Sequence, residues 1–311
     1  MMERSEWLEA RKKGIGGSDV AAICGLSRWK SPMDVYLDKI GAGGEVEQNE
    51  AMYWGSAIEA VIRQRFADDH PEFLVTAEEP LAEHPDHPFM VASYDGLVYD
   101  IGGDLIAGWE GKTASAYKRE EWSGESVPDE YWLQCQHYLA VSGLPRWYLS
   151  VLIGGNDYRE FIIERDDEAI EMLIRRATEF WHLVETQTPP PIDGSEASGR
   201  VLDRLYPAGD AVLDPPLMLD EAESLASAYL EARDALKGAQ MVVDTIENEI
   251  KALMASHAVA QAGAYEVNWK PRTRSSFDSK RYIEEHPGDY APYLKTSEYR
   301  VFSVKAPKEE R

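Results

Sequence analysis

Two carboxylates, Asp95 and Glu110, flank the segment Ile101-Gly102-Gly103-Asp104. A Gly-Gly pair between strand-like stretches signals a hairpin, because glycine accepts the positive φ such turns need. With Gly102-Gly103 at the turn centre, Asp95 lies opposite Glu110 and Ser93 lies opposite Lys112. Side chains alternate faces along a strand, so these four residues form a square on one face. Directly opposed side chains have Cβ atoms about 4.5–5.5 Å apart. Phe89, Val91, Leu97 and Tyr99 share that face, and Met90, Ala92, Tyr94 and Val98 fill the other. Like charges opposed in apolar surroundings repel, and Lys112 brings one positive charge against two negative. A divalent ion resolves the conflict. An all-oxygen donor set suits magnesium, with manganese as a substitute. The bland alternative, a solvated edge hairpin with an ordinary ion pair, fits poorly with strands that are apolar on both faces.

Glu59 is the natural third carboxylate. It lies on the helical stretch 51–67, beside the face formed by Ile58, Val61, Ile62 and Phe66. Gly55, one turn earlier, would allow close approach to another backbone. Gln134 and Tyr138 are four residues apart, hence on one helix face, and both can hydrogen-bond a water or a phosphate. His84, His87 and His137 lack the spacing of a zinc site, and so do the only cysteines, Cys24 and Cys135. Two unreactive thiols fit a reducing compartment.

These groups need elements to hold them. Residues 6–25 read as a helix, the loop Gly14-Ile15-Gly16-Gly17-Ser18-Asp19 and a second helix capped by Ser18 or Asp19. Residues 89–99 and 105–113 read as strands, and 129–142 as a helix stopped by Gly143. Together they predict an α/β fold with a central mixed sheet flanked by helices and a C-terminal helical extension.

The chain has 311 residues, with 44% apolar content, enough for a sizeable core. Residues 1–187 form the expected catalytic domain. A linker at 188–218 opens with Thr188-Pro189-Pro190-Pro191. Residues 219–311 form an extension, with a long helix over 219–256 and a basic, aromatic tail. The helix carries Leu225, Tyr229, Ala232, Leu236, Ala239, Val243, Ile246, Ile250 and Leu253 at alternating spacings of four and three. That heptad pattern expects a packing partner, within the same chain first. The tail concentrates Lys270, Arg272, Arg274, Lys280 and Arg281. The whole chain carries 32 Lys and Arg against 56 Asp and Glu, a net charge of −24. A protein that simply coats DNA should be basic, so nucleic-acid chemistry here must rest on a local site. No long apolar run or signal-like leader is visible, so a cytoplasmic protein with no membrane partner is expected.

Five motifs in order carry a resemblance: Trp7-Leu-Glu-Ala-Arg11-Lys-Lys-Gly-Ile-Gly-Gly-Ser18, Trp54-Gly55-Ser-Ala-Ile-Glu59, Ser93-Tyr-Asp95-Gly96, Glu110-Gly-Lys112 and Gln134-Cys-Gln-His-Tyr138. The pattern resembles the PD-(D/E)xK nuclease superfamily, within it the lambda-exonuclease-like group, and particularly the YqaJ-type viral recombinases. Tyr94 departs from the pattern, standing where a Pro is often found; its alternation in the strand would turn it away from the metal. The resemblance implies a restriction-endonuclease-like core. It implies Glu59, Asp95, Glu110 and the Gly111 carbonyl as ligands of one or two magnesium ions per subunit. Lys112 would orient or deprotonate the attacking water, Gln134 would steady that water or the phosphate, and Tyr138 would support the site. Arg11, Ser18 and Ser93 match residues that grip a terminal 5′-phosphate. The residue chemistry agrees: Arg offers a planar fork to phosphate, and Ser18 follows a Gly-rich loop at a helix start.

The implied activity is a metal-dependent exonuclease of linear duplex DNA, 5′→3′, leaving 3′ strands for phage-type recombination. The implied partners are double-stranded DNA ends, other copies of the chain in a ring of three subunits, and a single-strand annealing protein. Arg272 and Arg274 are further expected DNA contacts, chosen from the local charge. Two rival readings are a restriction-type endonuclease or nickase of the same fold, and a non-catalytic scaffold that binds DNA ends.

Overall fold

The computed structural model describes residues 12–44, 49–77, 81–124, 126–212, 215, 217–219 and 222–307. The chain divides into two compact units, Met1–Leu205 and Tyr206–Arg311.

The first unit is built on a five-stranded mixed sheet. In chain order its strands are β1 (Phe73–Val75), β4 (Gly96–Asp100), β5 (Leu105–Ala114), β6 (Arg146–Ile153) and β7 (Asp157–Glu164), and they lie side by side in that order. A separate small sheet pairs β2 (Ala82–Glu83) with β3 (Val91–Ala92). β5 and β6 run parallel, and the other pairs of the large sheet are antiparallel. β6 reads Arg-Trp-Tyr-Leu-Ser-Val-Leu-Ile, apolar on both faces, as a strand covered on both sides must be. On one face Tyr148 joins Val98, Ala107, Trp109, Ile62 and Phe66, the last two from α3 (Glu50–Asp69). On the other, Trp147, Leu149, Val151 and Ile153 pack with Leu133 and Leu139 of α4 (Asp129–Ser142). α4 has the expected bounds, and Gly143 ends it in the left-handed conformation at φ 71°.

The hairpin differs from its expected form at the turn but keeps its register. The Asp100 side chain accepts from the Gly102 and Asp104 amides at 2.8 and 3.0 Å. Gly103 takes φ 87°, which only glycine adopts easily. The loop is therefore longer than two residues. A bulge between Val98 and Tyr99 absorbs the difference, so Leu97 faces Gly108 and Gly96 faces Trp109. That register carries Asp95 to Glu110.

The expected strand 89–99 is not continuous. β3 pairs with β2, the Ile15 amide donates to the Phe89 carbonyl at 2.6 Å, and Ser93-Tyr94-Asp95 break the chain before β4. Ser93 is thus outside the ladder and does not pair with Lys112, so the square of four is a triangle. α1 (Gly17–Ile23) is capped by Gly16, not Ser18; Asp19 at its third position accepts from the Gly16 amide at 3.1 Å. Segment 6–11 of the expected first helix lies outside the described residues.

Part of the expected linker 188–218 is an element instead. α6 (Glu196–Leu205) buries Ala197 and Val201. Its Arg204 reaches Asp34 of α2 (Pro32–Lys39) at 3.2 Å, so it belongs to the first unit. α5 (Asp167–Glu185) completes that unit, burying Ile170, Leu173, Ala177 and Phe180. The second unit holds α7 (Glu223–Met254), the hairpin β8 (Val259–Ala262) and β9 (Tyr265–Asn268), and the short helices α8 (Ser279–Glu285) and α9 (Pro287–Tyr290). Among the described residues its heptad seam is open through the middle of the helix: every residue from 231 to 250 is exposed. Among the described residues, no helix is long and apolar enough to cross a membrane.

Candidate active site

The site lies where β4 begins beside the middle of β5. Glu110 is 2% exposed. Its Oε1 accepts from Lys112 Nζ at 2.5 Å and from Gln134 Nε2 at 2.7 Å. The same Gln134 amide group donates to the Tyr138 hydroxyl at 2.6 Å. Gln134 thus holds the Glu110 carboxylate from the neighbouring helix. Asp95 stands against Glu110 and is fixed by the Gly111 amide, which donates to its Oδ2 at 3.1 Å.

Electrostatics mark this cluster. Burial, then the charge of Asp95, push Glu110 well above the usual carboxylate range, and Lys112 offsets only part of this. Burial works against the Lys112 charge, but Glu110 and Asp95 outweigh it and hold the ammonium above its ordinary range. Lys112 also lies 5.4 Å from the centre of the Tyr131 ring.

Glu110 Oε2 is buried without a hydrogen-bond partner. Leaving a buried carboxyl oxygen unsatisfied costs ~1–3 kcal/mol. A hard divalent cation suits that oxygen and the adjacent Asp95 carboxylate, so the residues present fit a magnesium-type ion. Among the described residues, however, no three Asp, Glu, His or Cys side chains stand together as a ready metal cage. Glu59, the third expected ligand, is linked to the same region through Arg63. Its Oε1 lies 3.6 Å from Arg63 Nη1, and the same nitrogen donates to the Asp95 carbonyl at 3.0 Å. Arg63 therefore ties α3 to the strand break and offsets the Glu59 charge. Its spacing of four from Glu59 was the available sequence signal.

Glycines set the close approaches. A Cβ on Gly111 would meet the Trp109 ring at 2.7 Å. One on Gly17 would lie 2.5 Å from Tyr138 Cε1 and 3.1 Å from Gln134 Cγ. The Gly-rich loop is thus pressed against Gln134, which holds Glu110, and against Tyr138, the second acceptor of the Gln134 amide. Gly55 does not have its expected role, since a Cβ there would sit 3.8 Å from Thr113 Oγ1, an ordinary contact.

Ser18 is exposed beside Gly17, and Ser93 is half-buried on the strand break. Tyr94 is buried and packs edge-on against Tyr138, ring centres 5.5 Å apart, so it supports the site from behind. Arg11 lies outside the described residues. Arg272 and Arg274 are exposed in the second unit and form no ion pair among the described residues, whereas Arg281 pairs with Glu285 at 2.8 Å. The histidines serve the fold. His84 Nδ1 accepts from the Asp86 and His87 amides at 3.1 and 3.2 Å. His137 meets the Val91 carbonyl at 2.9 Å, and burial lowers its pKa to about 4. Cys135 is buried, and Cys24 is partly so.

The sequence reading missed a buried ion pair next to the Gly-rich loop. Lys39 Nζ lies 2.8 Å from Asp19 Oδ2, with neither side chain exposed, and Lys30 approaches the other oxygen at 3.6 Å.

Known proteins resemble this chain in fold and in sequence. The fold is similar to that of the alkaline exonuclease LHK-Exo from Laribacter hongkongensis in complex with dAMP. The TM-score is 0.50 and the identity 24%, covering 65% of this chain and 99% of that one. Protein R354 of Acanthamoeba polyphaga mimivirus is 25% identical over 146 residues, 44% of this chain and 26% of its own length. Protein YqaJ of Bacillus subtilis (strain 168) is 35% identical over 309 residues, 98% of this chain and 95% of that protein. The family profile of the YqaJ-like viral recombinase domain matches residues 6–145, the stretch that carries Glu59, Asp95, Glu110, Lys112, Gln134 and Tyr138. With likeness along the whole chain to YqaJ and a profile match over the site itself, the chain belongs to the YqaJ-like viral recombinase family.

Proposed function

We propose that this protein is a divalent-metal-dependent exonuclease that hydrolyses linear duplex DNA from its ends, 5′→3′. The observation that carries the reading is the buried, partnerless Glu110 Oε2 beside Asp95 and Lys112. Asp95 and Glu110 would hold the ion, with Glu59 and the Gly111 carbonyl as further donors. When bound, magnesium supplies Lewis acidity, making water a better nucleophile and offsetting charge on the scissile phosphate.

The chain's own residues do the rest. Gln134 and the Gly111 amide fix the two carboxylates before substrate arrives, which removes a reorganisation cost from the reaction. Lys112 keeps a positive charge beside Glu110, where it orients the attacking water and favours the developing phosphorane charge. Ser18 and Ser93 follow Gly17 and precede Tyr94 in sequence, both of which pack against Tyr138, and with Arg11 the two serines would bind a terminal 5′-phosphate. LHK-Exo, which shares the fold, is named an alkaline exonuclease and was crystallised with the mononucleotide dAMP; both support digestion from an end. The net charge of −24 makes general DNA attraction weak, which also favours a defined end contact over coating.

The test is digestion of linear duplex labelled at either end, beside a closed circle of the same sequence, with magnesium or chelator. The reading expects loss of label from the 5′ end first, faster on 5′-phosphate than on 5′-hydroxyl, and an intact circle. Equal attack on circle and linear duplex would replace the exonuclease with an endonuclease of the same fold.

A further inference from the structure

α7 presents a long apolar seam to solvent. Leu225, Leu236, Val243, Ile246, Ile250 and Leu253 are between 37% and 87% exposed. Contiguous exposed apolar surface of this kind marks an interaction site. Towards the helix ends, Tyr229 stands edge-on to Phe302 at 5.4 Å, and Met254 is buried.

We propose that this seam pairs with the same seam of a second copy of the chain. The two helices run antiparallel about a twofold axis beside Met241, and Arg233 meets Glu247 of the partner subunit. In the heptad frame, Tyr229, Leu236, Val243 and Ile250 take the a positions, and Leu225, Ala232, Ala239, Ile246 and Leu253 take d. A parallel pair would stack Ala232 on Ala232 and Ala239 on Ala239, leaving those layers underfilled. Its flanking contacts would join Ala228 with Arg233, Val242 with Glu247 and Glu249 with Met254, none of them opposite charges.

The antiparallel register fills every layer. Leu236 meets Ile246, Val243 meets Ala239, and Ile250 meets Ala232, so each alanine faces a branched side chain. The same register sets Arg233 against Glu247 on both sides of the axis. Sliding by one heptad in either direction removes both charge pairs. Among the described residues these two charges have recorded partners on their own helix alone. Arg233 lies over the Tyr229 ring at 5.7 Å, and Glu247 pairs with Lys251. Size and charge complementarity thus point to self-pairing, which uses no group of the active site and is independent of the proposed activity.

Sedimentation equilibrium of the full chain at micromolar concentration tests this. The wild type is expected to associate with an even number of chains. Arg233→Glu and Glu247→Arg, each alone, set like charges together twice and should weaken association about tenfold or more. The double charge swap should restore it, and so should an equimolar mixture of the two single variants, because each partner then supplies what the other lacks. Ile246→Asp should abolish pairing, with circular dichroism confirming that the chain remains folded. Four outcomes overturn the proposal: a wild-type monomer, an assembly on which the charge variants have no effect, weakening that neither the swap nor the mixture rescues, or association with a different protein only.

Discussion

Gln134 reaches across from α4 to hold Glu110 of β5 at 2.7 Å, so the most buried carboxylate of the site is aimed by a neighbouring helix as well as by Lys112 of its own strand. Gln134→Leu keeps the packing volume but removes both donors. By analogy with groups that orient metal ligands, activity at saturating magnesium should fall about 10–100-fold. The magnesium concentration giving half-maximal rate should rise as well. Unchanged magnesium dependence would show that Gln134 does not position the carboxylate.

The contact of Gly17 with Tyr138 gives a second prediction. Gly17→Ala places a methyl group 2.5 Å from the ring, so α1 must move off α4 or Tyr138 must turn. Overpacking of this kind costs ~1–3 kcal/mol, readable as a lower urea midpoint. Because Tyr138 accepts from Gln134, the nuclease rate should fall further than the stability loss alone explains.

Asp19 and Lys39 form an ion pair removed from solvent. Lys39→Met takes from the buried Asp19 charge a cation at 2.8 Å and should cost ~3–5 kcal/mol in denaturant unfolding. Replacing both residues by apolar ones should cost less than either single change. If the single variants unfold like the wild type, the pair contributes nothing to holding the Gly-rich loop.

His70, at the end of α3, lies 2.7 Å from Glu160 of β7. Partial burial opposes its protonation, but Glu160 and Glu72 outweigh this and raise its pKa above the ordinary 6.5. A folded pKa above the unfolded one means that this contribution is fully present below the unfolded value. It is then lost as pH rises through the folded value. Urea midpoints taken from about pH 5 to about pH 8 should show this decline in the wild type and a flatter profile in His70→Gln. Parallel profiles would contradict the linkage.

How far the sequence revealed this site depended on the range of the interactions. Asp95 opposite Glu110 was legible because a glycine turn and period-two alternation are local, and a bulge preserved the register past a longer loop. The break at Ser93 was not legible, because Val91 and Ala92 alternate correctly but pair in another sheet. The tie from Gln134 to Glu110 and that from Arg63 to the Asp95 carbonyl join residues far apart in sequence, so spacing on one helix hinted only at shared faces. The proline run at 189–191 read as the start of a linker, yet Ala197 and Val201 soon return the chain to the core. Asp19 and Lys39 look like ordinary surface charges until the fold buries them together.

The central claim is that Asp95 and Glu110 make a magnesium-dependent phosphodiesterase site. Its most direct measurement is the rate of release of nucleotides from linear duplex DNA by wild type, Asp95→Ala and Glu110→Gln, each with magnesium and with chelator. The account predicts that wild type is active only with magnesium. Each variant, still folded, should lose about a thousandfold or more in rate, ~4 kcal/mol of transition-state stabilisation. Wild-type digestion in chelator, or near-normal rates from either folded variant, would contradict it.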